Sequence, residues 1–375
     1  MSITLTIIRF IVGILFVFSG LIKANDPLGL SYKMQEFFEV WNLHALHDLT
    51  LPLSIAIISF EIIAGVAVIL GWKMKIFAWL LLLLIIFFTF LTGYALFSGK
   101  IKECGCFGNC IPLQASDSFI KDLILLIHII PIFLFRNKIR PALSGVSNAV
   151  LLFMTTVFAF AFQWYVLLHL PVVDCLPYKK GNDILQQMKP PAGSVPDSTA
   201  ITFVYDHKGT QVEFTADRFP EDFNDSDYKF VRRYDKLLRK GNAVPPIVDF
   251  ALQTLSGNDT TQALLANGGE KLFLFLKDGF SKSDWPKEFD VVSLHARKSG
   301  MQVFMVTNLP VEQLRLIGID LSQLEILRAD ATAIKTAARA NPTILHVSGA
   351  IIRNKWSYAD FQQALKYLQQ SDAGS

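Results

Sequence analysis

No cysteine follows Cys175, so the C-terminal half of this sequence has no thiol with which to exchange a disulfide. No Cys-x-x-Cys occurs anywhere, and only four cysteines are present in 375 residues. Charge is scarce as well. Asp, Glu, Lys and Arg make up 18% of the chain, against about 25% in soluble domains. The net charge of +3 is too small for the electrostatic footprint of a nucleic-acid partner. There is no block of like charge and no internal repeat, so neither a long disordered tail nor a solenoid is expected. Apolar residues take up 52% of the chain and concentrate in roughly the first 170 positions.

Those positions contain five apolar runs: Ile3 to about Leu21, then about Leu51–Leu70, Ile76–Phe97, Phe119–Phe135 and Ala149–Leu170. A bilayer core of about 30 Å needs roughly 20 helical residues, so the lipid bilayer is the first expected partner and about five spans the simplest count. A cleaved signal peptide is disfavoured for the first run because four more follow and no A-x-A-like site stands out. The run 119–135 fits least well, since it carries Lys121, Asp122, His128 and Pro131.

The loops 71–75 and 136–140 are dense in Lys and Arg, which places them on the cytoplasmic side. The N-terminus is then cytoplasmic. The loop after the third run and everything beyond about Leu170 are extracytoplasmic, outside the inner membrane. Ionisable groups inside the runs, Arg9 and Glu61, are costly at mid-membrane and should face the bundle interior. Packing the first two helices antiparallel would let Glu61 pair with Arg9, either as a structural ion pair or as part of a proton path or cofactor contact. His128 is expected to be a core histidine.

The extracytoplasmic loop reads Cys104-Gly105-Cys106-Phe107-Gly108-Asn109-Cys110, with Cys175 just beyond the last run on the same side. Three readings are open. A four-thiolate metal site is one, but zinc usually uses paired Cys-x2–4-Cys elements and an oxidising compartment is a poor place for free thiols; no metal site is expected. Structural disulfides are another, with Cys106 to Cys110 closing a tight turn and Cys104 reaching Cys175. The third is thiol–disulfide exchange, with Cys104 and Cys106 as the strained, readily reduced pair, Cys110 resolving it and Cys175 resolving or structural.

The residues Arg9, Gly13, Phe16, Ser19, Gly20 and Lys23 in the first run, Glu61 in the second and Cys-Gly-Cys-Phe-Gly after the third resemble the DoxX/MauE membrane family over roughly residues 1–140. The resemblance implies a four-helix bundle similar to the vitamin K epoxide reductase and DsbB class, and a thiol–disulfide role for Cys104 and Cys106. The MauE branch is tied to methylamine metabolism, where it is thought to help form disulfides in methylamine dehydrogenase. A quinone is the cofactor that a DsbB-like relay would imply, and the missing Cys-x-x-Cys separates this chain from that pattern. The fifth run and the long C-terminal extension resemble DoxX-like proteins of Bacteroidetes.

Residues 1–175 are therefore expected to form the transmembrane domain and 176–243 a linker with a β-hairpin around His207-Lys208-Gly209. A helix-like or irregular acidic stretch, about 220–240, closes that segment. Residues 244–375 alternate strand and helix patterns: strands near 248–252, 271–276, 302–307, 324–327, 343–347 and 351–354, with helices near 285–298, 310–317, 331–340 and 358–368. This order resembles the thioredoxin fold, and Asn341-Pro342-Thr343 stands where that fold carries its cis-proline. The resemblance makes the cleft near Pro342 a peptide-binding candidate, while the position of the Cys-x-x-Cys reads Lys277-Asp278-Gly279-Phe280-Ser281-Lys282-Ser283. Two functions follow. One is extracytoplasmic thiol–disulfide redox acting on a client or redox partner protein. The other is a non-enzymatic scaffold with stapling disulfides.

Overall fold

In the computed structural model, residues 3–101, 105, 107–239, 241–280 and 284–373 are described. The apolar runs become helices α1 (Ile3–Ala24), α3 (Thr50–Leu70), α4 (Met74–Ser98), α5 (Ala115–Leu134) and α6 (Gly145–His169), with a further helix, α2 (Pro27–Val40), inside the long first loop. Among the described residues four helices are long and apolar enough to cross a membrane: α1, α3 with its preceding 3-10 turn His44–Leu49, α4 and α6. That is one fewer than the sequence pattern counts. The fifth, α5, spans 20 residues but carries Asp117, Lys121 and Asp122 in its first eight positions.

Small residues set the bundle. A Cβ on Gly13 would lie 2.9 Å from the Gly65 carbonyl oxygen, and one on Gly65 would lie 2.8 Å from the Gly13 carbonyl oxygen. Two backbones in contact fix the antiparallel register of α1 and α3, since lipid gives no hydrophobic drive for helix association and close packing must supply it. Further along, Gly20 meets Ile62. Helix α4 packs on α5 and α6 on α3.

The chain divides into two compact units, residues 1–181 with 251–375, and residues 182–250. The smaller unit holds a short helix α7 (Ile184–Gln187) and a three-stranded antiparallel sheet in the order β2-β1-β3, from β1 (Ser198–His207), β2 (Thr210–Thr215) and β3 (Tyr228–Arg239). The hairpin β1–β2 lies where the sequence puts it. Strand β3 replaces the expected irregular stretch. Only Tyr228 on it is buried, so the strand is held by its ladder to β1 and leaves no period-2 apolar signal.

In the larger unit the C-terminal part contains α8 (Thr261–Ala266), β4 (Glu270–Leu276), α9 (Trp285–Lys298), β5 (Gln302–Thr307) and α10 (Val311–Leu314). After these come β6 (Glu325–Arg328), α11 (Ala331–Ala337), β7 (Thr343–Ser348), β8 (Ile351–Ser357) and α12 (Phe361–Ala373). The sheet order is β6-β5-β4-β7-β8, with β4, β5 and β6 parallel and β7 and β8 antiparallel. A parallel β4–β5 pair joined through α9, followed by an antiparallel hairpin and a closing helix, is the thioredoxin-like arrangement. Leu274, Leu276, Phe289, Val292, Met305 and Phe361 pack its core, and Asn341–Pro342 is a cis peptide bond. No strand forms at residues 248–252. Asp249 takes a positive φ of 56°, and the ladder contact begins one residue later, at Gln253 with Arg328.

Candidate functional site

One end of the helical bundle carries the cysteine loop, and the segment after α6 is tied to it. Cys110 and Cys175, 65 positions apart in sequence, form a disulfide with their Cα atoms 4.8 Å apart. This is neither of the two bridges expected, Cys106–Cys110 and Cys104–Cys175. It joins Cys110, expected as the resolving thiol, to the residue beyond α6. Asn25 reinforces the same junction: its side-chain amide donates to the Val173 carbonyl at 2.8 Å and its carbonyl oxygen accepts from Val173 N–H at 3.0 Å. Cys104 and Cys106 lie outside the described residues. Gly105 between them has φ +67°, and a Cβ there would lie 3.0 Å from Lys33 Cγ, so this position accepts only glycine without strain.

Asp26 is the hub of this face. One carboxylate oxygen accepts from Gly29 N–H at 3.0 Å and so caps α2. The other accepts from Asn109 Nδ2 at 3.1 Å and from Arg339 Nε at 3.0 Å. Arg339 stands three positions before Pro342 and is buried. Together with Lys335 it lies over the Tyr32 ring, each cation 5.3 Å from the centroid. Burial pushes the Tyr32 hydroxyl up to about 12 in pKa, with Arg339 opposing the rise. Two further contacts hold the thioredoxin-like domain to the bundle. Lys355 Nζ meets Asp174 Oδ2 at 2.8 Å, and His169 Nδ1 meets both oxygens of Asp360 at 3.0 Å. Burial holds the Lys355 ammonium below the usual lysine range, partly offset by Asp174.

Pro342, the peptide-binding candidate, is buried, and its carbonyl accepts from Tyr358 N–H at 3.1 Å. The segment leading to it is engaged by Asp26. Lys277, at the start of the loop expected to hold the Cys-x-x-Cys, donates its backbone N–H to Asn341 Oδ1 at 3.0 Å. Burial and the nearby Lys335 hold the Lys277 ammonium below its ordinary range.

Beneath the loop, between α1, α3, α4 and α5, lies a cavity of about 260 Å³. Its apolar wall includes Phe16, Ile85, Phe88 and Phe107, and its polar wall Glu61, Lys121 and Asp122. Glu61 pairs with Lys23, both buried. The expected Glu61–Arg9 pair does not form, because the Gly13–Gly65 register sets Arg9 beside Gly71 at the opposite end of α3, where its Nη1 lies 2.7 Å from the position of a Gly71 Cβ. Arg9 also lies over the Phe10 ring, 5.5 Å from its centroid. Asp122 is fully buried, accepts from Thr92 Oγ1 at 3.1 Å and lies 2.7 Å from Lys121 Nζ. Lys121 in turn sits 5.1 Å from the Phe107 centroid, linking the cavity to the cysteine loop. Sequence reading missed Lys23, Asp26 and Asp122 as members of the site. Lys23 and Asp122 carried a signal, as charges at the ends of apolar runs. His128 is half-buried rather than in the core, with Nδ1 2.7 Å from the Ile124 carbonyl.

Residues 1–136 match the family model for methylamine utilisation protein MauE. Residues 199–240 match a domain of unknown function (DUF8463). No curated protein matches the chain. Among solved structures, a thiol:disulfide interchange protein from Bacteroides sp. is 15% identical, with a TM-score of 0.24 over 32% of this chain and 86% of its own. The bacterioferritin comigratory protein of Xanthomonas campestris, described for alkyl peroxide reduction, is 12% identical, with a TM-score of 0.24 over 33% of this chain and 92% of its own.

Proposed function

We propose that this MauE-type membrane protein carries out thiol–disulfide exchange on the extracytoplasmic side of the inner membrane, with Cys104 and Cys106 as the exchanging pair. The observation that supports this reading is the Cys110–Cys175 disulfide. It takes up two of the four cysteines as a staple of the loop and leaves Cys104 and Cys106 as the remaining two in the sequence. A partner thiolate attacks one sulfur of the Cys104–Cys106 disulfide and forms a mixed disulfide, and the partner's second thiolate then releases it. The partner gains a disulfide, and Cys104 and Cys106 each take up a proton as thiols. A second extracytoplasmic protein bearing a more oxidising disulfide takes the two electrons back.

A quinone is the alternative acceptor. The cavity is of a size for one ring, with Phe16, Ile85 and Phe88 to flank it and Lys121 at its polar wall. Bound there, such a ring would accept two electrons and two protons. The cysteine-free thioredoxin-like domain serves in this reading to hold the loop and present a partner.

The test is mixed-disulfide trapping with C104S and C106S in intact cells, followed by non-reducing electrophoresis. Each single variant is expected to trap a partner, and the C104S/C106S double variant to lose function. No trapped species together with full function of the double variant establishes the scaffold reading instead. Alkaline phosphatase fused after residue 200 is expected to be active, and an inactive fusion inverts the topology.

A further inference from the structure

We infer that Glu39, His44 and His47 form a binding site for a divalent transition-metal ion of the zinc class. Nothing in the proposed exchange chemistry uses these three residues, and they lie in the first loop rather than among the cysteines.

The local fold brings them together. Glu39 is in the last turn of α2, and Asn42 then takes a positive φ of 56°, which reverses the chain into the 3-10 turn His44–Leu49. In a 3-10 helix residues three apart eclipse one another, so His44 and His47 project to the same side. Their rings meet edge to face with centroids 5.6 Å apart. Glu39 Oε2 lies 3.2 Å from His44 Nδ1, and Glu39 Oε1 lies 3.5 Å from His47 Nε2. With one donor atom taken from each residue, the three lie within 4.8 Å of one another.

Those separations match what zinc requires. With metal–ligand bonds of about 2.0–2.1 Å, two donors on a tetrahedron stand ~3.3–3.4 Å apart. Each carboxylate oxygen of Glu39 stands near that edge length from one histidine, at 3.2 and 3.5 Å, and side-chain rotations that draw the three donors in from their 4.8 Å spread let one ion bridge them. Two imidazoles and one carboxylate are ligands that suit zinc and its neighbours rather than magnesium or calcium. Three protein ligands leave a fourth position for water.

The turn that carries His47 is also anchored to the helix that carries Glu39. Thr50 Oγ1 donates to the His47 carbonyl at 2.7 Å, and the same hydroxyl oxygen accepts from Ser31 Oγ at 2.9 Å and Gln35 Nε2 at 3.2 Å, both on α2. The end of α2 is itself fixed by Trp41, whose ring lies 5.6 Å from Phe37 and 5.4 Å from Tyr94. These contacts hold the backbone that carries His47 against the helix that carries Glu39.

The experiment uses the full-length protein in detergent, stripped with chelator, and titrated with Zn2+ by calorimetry and with Co2+ by visible absorption. One ion per chain is expected, with Co2+ giving d–d bands. H44A and H47A are each expected to weaken Zn2+ binding by about tenfold or more, whereas C104S/C106S keeps it. The inference is overturned if the stripped wild-type protein takes up no Zn2+. It is equally overturned if H44A/H47A binds as tightly as wild type, or if C104S/C106S abolishes binding. Because His44 is more than half exposed, H44A is expected to fold, and circular dichroism checks the fold of each histidine variant.

Discussion

Arg339 donates to Asp26 at 3.0 Å across 313 positions of sequence, and the receiving oxygen also accepts from Asn109, next to Cys110. A single carboxylate thus joins the cysteine loop to the segment before Pro342. Both side chains are nearly buried. Removing one partner of a buried pair strands the other, which costs roughly 3–5 kcal/mol. D26N and R339Q are expected to lower the unfolding free energy by that order and to expose the 105–110 loop to protease. A double-mutant cycle should show a coupling of about 0.5–3 kcal/mol. Additive single effects, read by denaturant unfolding in detergent, argue against the contact.

The Lys23–Glu61 pair is buried inside the bundle. K23M and E61L alone should each destabilise by roughly 3–5 kcal/mol, whereas K23M/E61L is expected to be near neutral, since a buried ion pair replaced by well-packed apolar groups loses little. If the double variant is stable yet loses exchange activity, the pair does chemistry as well as packing. Stability and activity measured on the same preparation separate the two.

Gly65 meets the Gly13 carbonyl where a Cβ would stand 2.8 Å away. Alanine is the better helix former by about 1 kcal/mol, but the obstructing atom is backbone and cannot turn aside. G65A is therefore expected to destabilise by about 1–3 kcal/mol. Its thermal midpoint relative to wild type gives the sign, and a rise would show that α1 and α3 separate freely.

His346 is buried on β7, with Nε2 2.6 Å from Glu270 and Nδ1 without a hydrogen-bond partner among the described residues. Protonation would bury an N–H with no acceptor. Burial therefore holds the ring below its ordinary 6.5 despite the Glu270 carboxylate. In the unfolded chain the ring takes up its proton first as pH falls below 6.5, so stability is full above that value and declines towards the native pKa. H346N is expected to flatten the loss of stability as pH falls below the ordinary 6.5 of the ring, measured as the midpoint against pH. An unchanged slope excludes His346 as its source.

The apolar runs, the hairpin and the strand–helix alternation were legible because each carries a hydrophobic period or a long apolar block. The boundaries of Trp285–Lys298 and Gln302–Thr307 follow directly from such patterns. Strand β3 was not legible, since an exposed strand has no face to mark. The Cys110–Cys175 pairing was one of several that spacing allows, and only the positions of the α4 and α6 ends select it. The Glu61 partner depended on the register of two helices, which the Gly13–Gly65 contact sets and which no single run encodes. Asp26 stands in a polar loop with nothing local to mark it, because its guanidinium comes from the other end of the chain.

That distance in sequence also sets an order in time. Ribosomes add about 5–20 residues per second, so Asp26 is made roughly 15 to 60 s before Arg339 across the 313 positions between them. During that interval the loop of the newborn bundle has only Asn109 and the α2 cap on this carboxylate. The face of the bundle is completed only when the segment carrying Arg339 has emerged, and a chain truncated before residue 339 never completes it.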